Sequence, residues 1–218
     1  YEPWLEKFTA LGVNVIDPNV IRLGSRSKYN TLAEAIDAAK QNPGSVTVGA
    51  DGPLSDDHVA MYAIEKATGA KFTFIPYAGG SPANRSFMSG EVDIAIGNVF
   101  DHVKTKTSAK EAAVLLNDRY PLIEDVPTVK ELLGIEIGEF GSTRGFAAPT
   151  GTPEALVQVY REAFAATFND EDFQSEAKKR NITIVKPRVG DEFTKLMEEN
   201  EQITQDLLQL FIDGGFIK

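Results

Sequence analysis

The stretch Lys71-Phe72-Thr73-Phe74-Ile75-Pro76-Tyr77-Ala78-Gly79-Gly80-Ser81-Pro82-Ala83, continued through Met88-Ser89-Gly90-Glu91-Val92-Asp93-Ile94-Ala95-Ile96-Gly97-Asn98, decides the fold class. Lys71 to Ile75 alternates as a half-buried strand does and runs into a glycine turn. Ser81-Pro82 then reads as the N-cap and first residue of a helix, Gly90 as its terminator, and Val92 to Ile96 as another strand. A strand, a glycine turn, a helix and a strand in succession predict an α/β architecture with largely parallel strands.

The same grammar extends outward in both directions. Upstream, Asp51 to Ser55 turns the chain into a helix running to about Thr68, with Val59, Tyr62, Ala63, Ile64 and Ala67 on its apolar stripe and Gly69 as its stop. Ser45 to Val48 precedes it as a strand. Before that, Thr31 and Glu34 have capping-box spacing at the start of a helix that Asn42-Pro43-Gly44 closes. Val13 to Ile21 reads as a strand broken at Asp17-Pro18. Downstream, Glu111 to Leu116 predicts a strand, Thr128 to Leu133 a short helix and Ile135 to Ala148 an extended segment. Thr152-Pro153 opens a helix with Leu156, Val159, Tyr160, Ala163, Phe164 and Phe168 on one face. A helix at about 172–180, a strand at Ile182 to Val185 and a last helix at about Gly190 to Phe211 complete the series. The aromatic and methionine stripes on these helices are core packing.

Composition narrows the function classes. A chain of 218 residues with 42% hydrophobic and 25% charged residues buries a sizeable core without staples. The formal net charge of -10, with no dense block of Lys or Arg, lacks the electrostatic footprint of a nucleic-acid binder. It does not exclude an anionic small ligand, because helix N-termini make local positive sites in an acidic protein. The absence of cysteine excludes disulfides, thiol catalysis and thiolate metal sites, and leaves the compartment open. No apolar run approaches the ~20 residues that span a bilayer.

Three strand-to-helix turns carry small or polar residues: Asp51-Gly52-Pro53-Leu54-Ser55-Asp56, Tyr77-Ala78-Gly79-Gly80-Ser81 and Gly97-Asn98-Val99. In an open parallel sheet such turns line the carboxyl edge, where ligands settle. First-turn N–H groups and the helix dipole attract carboxylate or phosphate oxygens there, and glycine permits close approach to the backbone. Taken singly, each turn also reads as a tight glycine turn with Ser55 or Ser81 as a helix cap.

The quoted stretch resembles the central signature of the receptors of tripartite tricarboxylate transporters, the Bug family. The resemblance extends to Asn42-Pro43-Gly44, the Gly-Pro-x-Ser-Asp-Asp-His pattern at Gly52 to His58, Asp125-Val126-Pro127-Thr128, and Arg144-Gly145-Phe146-Ala147-Ala148-Pro149-Thr150-Gly151-Thr152-Pro153. These motifs fall in order over nearly the whole chain. The resemblance implies a type II periplasmic-binding-protein fold, with two α/β lobes and a ligand cleft between them. One lobe is expected at 22–143, the other at 1–21 with 144–218. The implied function is extracytoplasmic, periplasmic capture of a small organic carboxylate for a cognate membrane permease, with no enzymatic step and no cofactor. The implied ligand-binding residues are Gly52, Pro53, Leu54, Ser55, Asp56, Tyr77, Ala78, Gly79, Gly80, Ser81 and Asn98. Two departures stand out. Leu54 occupies a position where relatives often have glycine, and the opening part of the first lobe is expected to be missing. That second departure predicts a partly uncovered apolar face on the helix at 153–168, to be met by a companion N-terminal fragment or by self-association.

Two rival readings use the same residues. A serine hydrolase would need Ser55 or Ser81 paired with His58 and an aspartate, although no Gly-x-Ser-x-Gly elbow is present. A metal site would need Asp56, Asp57 and His58 to converge, whereas adjacent residues in a first helical turn point in different directions. His102, beside Asp101, reads as a surface or helix-terminal histidine. An acidic pair at the site also leaves room for an amino acid or another mixed-charge ligand.

Overall fold

The computed structural model describes residues 3–180, 182 and 187–217. They form two compact units, 17–142 with 209–218, and 1–16 with 143–208.

The larger unit is built on five strands. They are the second half of β1 (Phe8–Gly24), β2 (Thr47–Asp51), β3 (Thr73–Tyr77), β4 (Ile94–Asn98) and β5 (Ala109–Val114), in the order β3-β2-β4-β1-β5. β2 runs parallel to β3 and to β4, as a βαβ series requires, whereas β1 runs antiparallel to β4 and β5. The sheet is therefore mixed rather than largely parallel. β1 reaches it from outside the βα series, so the crossover rule that aligns consecutive strands does not act on it. β1 is also continuous through Asp17-Pro18. Pro18 lies just before the first β4 pair, Asn19 with Asn98, and its missing N–H interrupts none of that ladder.

Around this sheet lie α2 (Leu32–Gln41), α3 (Asp56–Thr68), α4 (Gly80–Ser89), α5 (Val99–Thr105) and α6 (Val129–Leu133). Thr31 caps α2 by accepting from the Glu34 N–H, but the Glu34 carboxylate reaches Asn30 N–H instead of closing the box on Thr31. Thr128 and Glu131 do form a full capping box at α6. Gly69 and Gly90 close α3 and α4 in the left-handed conformation that only glycine adopts without strain. The sheet contributes Ile21, Leu23, Val48, Ile94 and Ile96 to the core, and the helices add Leu32, Ile36, Met61, Ile64 and Phe87. Each such side chain stabilises the fold by ~1.5–3 kcal/mol when fully buried. At the end of the chain, Phe211 meets Tyr62 edge to face with ring centroids 4.8 Å apart.

The smaller unit contains α1 (Trp4–Lys7), the first half of β1, β6 (Gly141–Pro149), α7 (Glu154–Phe168), α8 (Glu171–Lys179), β7 (Arg188–Val189) and most of α9 (Asp191–Asp213). β1 pairs with β6, and antiparallel with β7 through Gly12–Val189 and Val13–Arg188. Gly12 makes room there, because a Cβ would lie 3.1 Å from the Phe168 ring and 3.2 Å from Phe164, and those side chains would have to shift by a few tenths of an ångström. Ala10, Val13 and Phe193 form one core cluster with Trp4, Ile16, Leu196 and Met197 against it. Leu11, Ala148 and Val157 form a second with Phe164. The guanidinium of Arg161 donates twice to the Ala10 carbonyl, at 3.2 and 3.0 Å. On α7, Leu156, Val159 and Tyr160 remain exposed. Of the segment 135–148 only the part from Gly141 onward is strand, and the strand expected at Ile182 to Val185 lies outside the described residues.

Candidate functional site

Parallel pairing places the ends of β2, β3 and β4 on one edge of the larger unit's sheet. Asp51 stands opposite Tyr77 in register, and Val48 and Gly49 stand opposite Ile94 and Ala95. The three turns that follow these strands therefore emerge side by side. A Cβ on Gly52 would lie 3.7 Å from the Tyr77 carbonyl, and the Asn98 amide donates to Asp56 Oδ2 at 3.2 Å. All the residues expected at the site are thus brought to one rim, but they do different things there.

The first turn is largely self-satisfied. Ser55 caps α3, its hydroxyl accepting from His58 N–H at 3.3 Å and donating to the Asp51 carbonyl at 3.4 Å. Gly52 N–H is taken by the Asp51 carboxylate at 2.6 Å. Leu54 has φ +66°, a left-handed conformation that costs a side-chain-bearing residue ~1–2 kcal/mol and that glycine would adopt without strain. Pro53 and Leu54 are exposed at the tip.

The second turn is different. The helix starts two residues before the expected place: Gly79 is the N-cap of α4, Ser81 lies inside its first turn, and no side chain caps the end. Gly79 makes this possible with φ +108° and ψ 162°, a combination denied to residues bearing a Cβ. The uncapped first-turn N–H groups of α4 have no intrahelical acceptor. The carboxyl group of Asp101 stands nearby: a Cβ on Gly80 would lie 3.1 Å from its Oδ2. Tyr77 contributes backbone rather than its phenol: its hydroxyl is hydrogen-bonded to Ser86 Oγ, and its ring packs on the cluster of Phe87, Val92 and Ala95. Ala78 and Ser81 are exposed, and Asn98 is half-buried with its amide donating to the Asp17 carbonyl at 2.9 Å.

Beneath the rim lies a polar network that the sequence did not disclose. Asp56 Oδ2 accepts from Asn19 Nδ2 at 3.1 Å, Asn98 Nδ2 at 3.2 Å and Ser142 Oγ at 3.0 Å. Arg22 is wholly buried. One of its terminal nitrogens donates to Asn84 Oδ1 at 3.0 Å and Thr105 Oγ1 at 2.6 Å, and its guanidinium stands 5.0 Å over the Phe87 ring. Burial lowers the Arg22 pKa to about 10 against the opposing pull of Asp101 and Asp57. Burial, and then the charge of Asp56, raise Asp57 to about 8. Alternation along β1 would have assigned Asn19 and Arg22 only a face of the strand; nothing local marks their partners.

His58 is not placed for either rival chemistry. Its ring stacks on Phe74 at 3.9 Å between centroids, and Tyr62, Phe211 and Phe216 surround it. Nδ1 accepts the Leu54 N–H at 3.2 Å and Nε2 has no partner, so neither Ser55 nor Ser81 is paired with the imidazole. The hydrolase pair is not formed. Burial lowers the His58 pKa to about 4, which keeps the ring neutral. Among the described residues no group of three His, Cys, Asp or Glu side chains could hold a metal ion, and no helix is long and apolar enough to cross a membrane.

The sheet, its rim and its helices have the architecture of a periplasmic solute-binding protein. The chain matches a TctC solute-binding protein from Polaromonas with a TM-score of 0.78 at 30% identity, over 94% of this chain and 70% of that one. The same fold is found in MatC from Rhodopseudomonas palustris with bound malate (TM-score 0.70, 21% identity, 92% of this chain and 69% of that one). It is found again in an R. palustris protein with adipate (0.68, 21%, 91% and 68%). The family described as tripartite tricarboxylate transporter family receptor matches residues 7–210, and the chain belongs to it. Among curated relatives, BugT of Bordetella pertussis is 31% identical over 150 residues, 66% of this chain and 45% of BugT. The chain spans about half the length of the curated relatives it matches, between 43% and 49%.

Proposed function

We propose that this protein is an extracytoplasmic receptor that captures a small organic carboxylate and delivers it to a membrane transporter. The observation that carries the reading is the uncapped N-terminus of α4, opened by Gly79 at φ +108° on the sheet edge where two further strand-to-helix turns emerge. Such an end presents backbone N–H donors and a favourable dipole to a carboxylate, with no side-chain cap hydrogen-bonded to the first turn. Malate and adipate in the two R. palustris relatives support a dicarboxylate as the ligand class. In this reading Gly52, Pro53, Leu54, Ser55, Asp56, Tyr77, Ala78, Gly79, Gly80, Ser81 and Asn98 form the site, with backbone N–H groups as the main donors. The segments 22–143 and 1–21 with 144–218 are the two lobes of the receptor. The exposed face of Leu156, Val159 and Tyr160 supports association with a companion polypeptide or a second copy.

The test is a thermal-shift screen with malate, adipate, citrate, aromatic acids and amino acids. A binder stabilises the fold by mass action, by ~2.7 kcal/mol at a ligand concentration a hundred times Kd. Binding should be lost in Gly79→Val while the protein stays folded, since a β-branched residue obstructs approach to the backbone and strains the positive φ. A folded Gly79→Val protein with unchanged affinity for the best ligand removes this loop from the site, and no stabilisation by any acid in the screen removes the receptor reading.

A further inference from the structure

Asp57 is a buried carboxylate that the proposed rim does not use. It is 4% exposed; its Oδ1 accepts from Asn19 Nδ2 at 2.8 Å and its Oδ2 from Asp51 N–H at 3.2 Å. The same Asn19 nitrogen donates to Asp56 Oδ2, so two adjacent carboxylates bear on one amide. The acceptor of that amide, Asn19 Oδ1, is buried without a donor. The charged groups that act on Asp57 are Asp56 on its own helix, Arg22 on β1 and Asp101 on α5. From β2, Asp51 offers its backbone N–H while its carboxylate turns to Gly52. Asn19, Asn98 and Ser142, which complete the shell around the pair, are neutral. Arg22 directs one terminal nitrogen to Asn84 and Thr105, and it does not close an ion pair with Asp57.

We propose that capture of an anion at the rim is linked to uptake of one proton by Asp57. The inference rests on the reading that the rim holds a carboxylate. Asp56 and Asp57 open α3, one of the helices whose first turns form that rim, so an arriving carboxylate adds a third negative charge at the same end of the helix. Like charges sharing a site raise one another's proton affinity. By linkage, a proton on Asp57 then raises affinity for the anion by the same factor. Burial and Asp56 already hold Asp57 at about 8 in the free protein. Below that pH Asp57 carries its proton before the anion arrives, and affinity is flat. Above it, the proton must be taken up on binding, and affinity falls by up to about tenfold per pH unit.

Calorimetric titration with malate and with adipate, at about pH 6 and about pH 9 in buffers of different ionisation enthalpy, counts the protons exchanged. The expected result is tighter binding at the lower pH, no proton taken up there, and close to one proton per ligand at the higher pH. Asp57→Asn should bind with the same affinity at both pH values and exchange no proton. If that variant does not fold, the proton count on the unaltered protein decides the matter alone. Binding of equal affinity at both pH values, with no proton exchanged, overturns the linkage and leaves the receptor reading intact. No binding of either acid at the lower pH instead removes the dicarboxylate reading, and the linkage with it.

Discussion

The backbone N–H of Leu54 donates to Nδ1 of His58 at 3.2 Å. A loop amide at the rim is thereby held by a ring that the aromatic side chains of Phe74, Tyr62, Phe211 and Phe216 enclose. Because Nδ1 accepts, the ring proton is on Nε2. One contact thus ties the conformation of the loop, the tautomer of the histidine and the packing of the last residues of the chain.

Leu54→Gly should stabilise the protein by about 0.5–1 kcal/mol in denaturant unfolding. Relief of the left-handed strain at φ +66° outweighs the extra unfolded-state entropy of glycine, and little burial is lost because Leu54 is 51% exposed. A destabilised Leu54→Gly protein would show that the leucine side chain, not its conformation, sets the energy of this turn.

His58 should make the protein sensitive to mild acid. Its folded pKa, about 4, lies below its unfolded value, so its contribution is complete above the unfolded pKa of ~6.5 and is lost as pH falls toward the folded one. The slope in this window is up to ~1.4 kcal/mol per pH unit, and His58→Gln, which does not titrate, should abolish that component. Asp57 acts in the opposite sense. Its folded pKa is raised to about 8, so its contribution is complete at low pH and is lost as pH rises from the ordinary carboxylate range through about 8. Chemical unfolding at a series of pH values on both single variants separates the two slopes.

Asp56→Ala should cost about 2 kcal/mol or more, because Oδ2 satisfies donors from Asn19, Asn98 and Ser142 on three separate chain segments. A double-mutant cycle with Ser142→Ala should give a coupling energy of ~0.5–1.5 kcal/mol. Strict additivity would mean that the 3.0 Å Ser142–Asp56 hydrogen bond contributes nothing net in solution.

Ser55→Ala and Ser81→Ala should differ, although both serines read alike in sequence. Loss of the Ser55 cap should lower stability by about 1 kcal/mol, whereas Ser81 has no capping bond to lose and its replacement should fall within about 0.5 kcal/mol of neutral. Equal losses would place the start of α4 at Ser81 after all.

Local physics explains which parts were legible in advance. Glycines that close α3 and α4 and the Ser55 and Thr31 caps act over a few neighbouring residues, so the βα series and the three turns follow from the residues themselves. The start of α4 was misplaced by two residues. Gly79-Gly80-Ser81 offers two compatible entries, and only the packing of the turn selects the one with Gly79 at φ +108°. The expected break at Asp17-Pro18 failed for a similar reason: a proline breaks a strand only where a ladder needs its N–H, and the partner of β1 is remote in sequence.

By itself the sequence determined the class of the fold, the family and the rim of strand-to-helix turns, since these rest on periodicity, turn chemistry and collinear motifs. The tertiary structure alone decided the antiparallel entry of β1, the burial of Arg22 and Asp57, and the convergence of Asn19, Asn98 and Ser142 on Asp56. Hydrogen bonds and charge interactions between residues tens of positions apart depend on which strands lie side by side and on how much water they exclude. Residue types along the chain carry neither quantity.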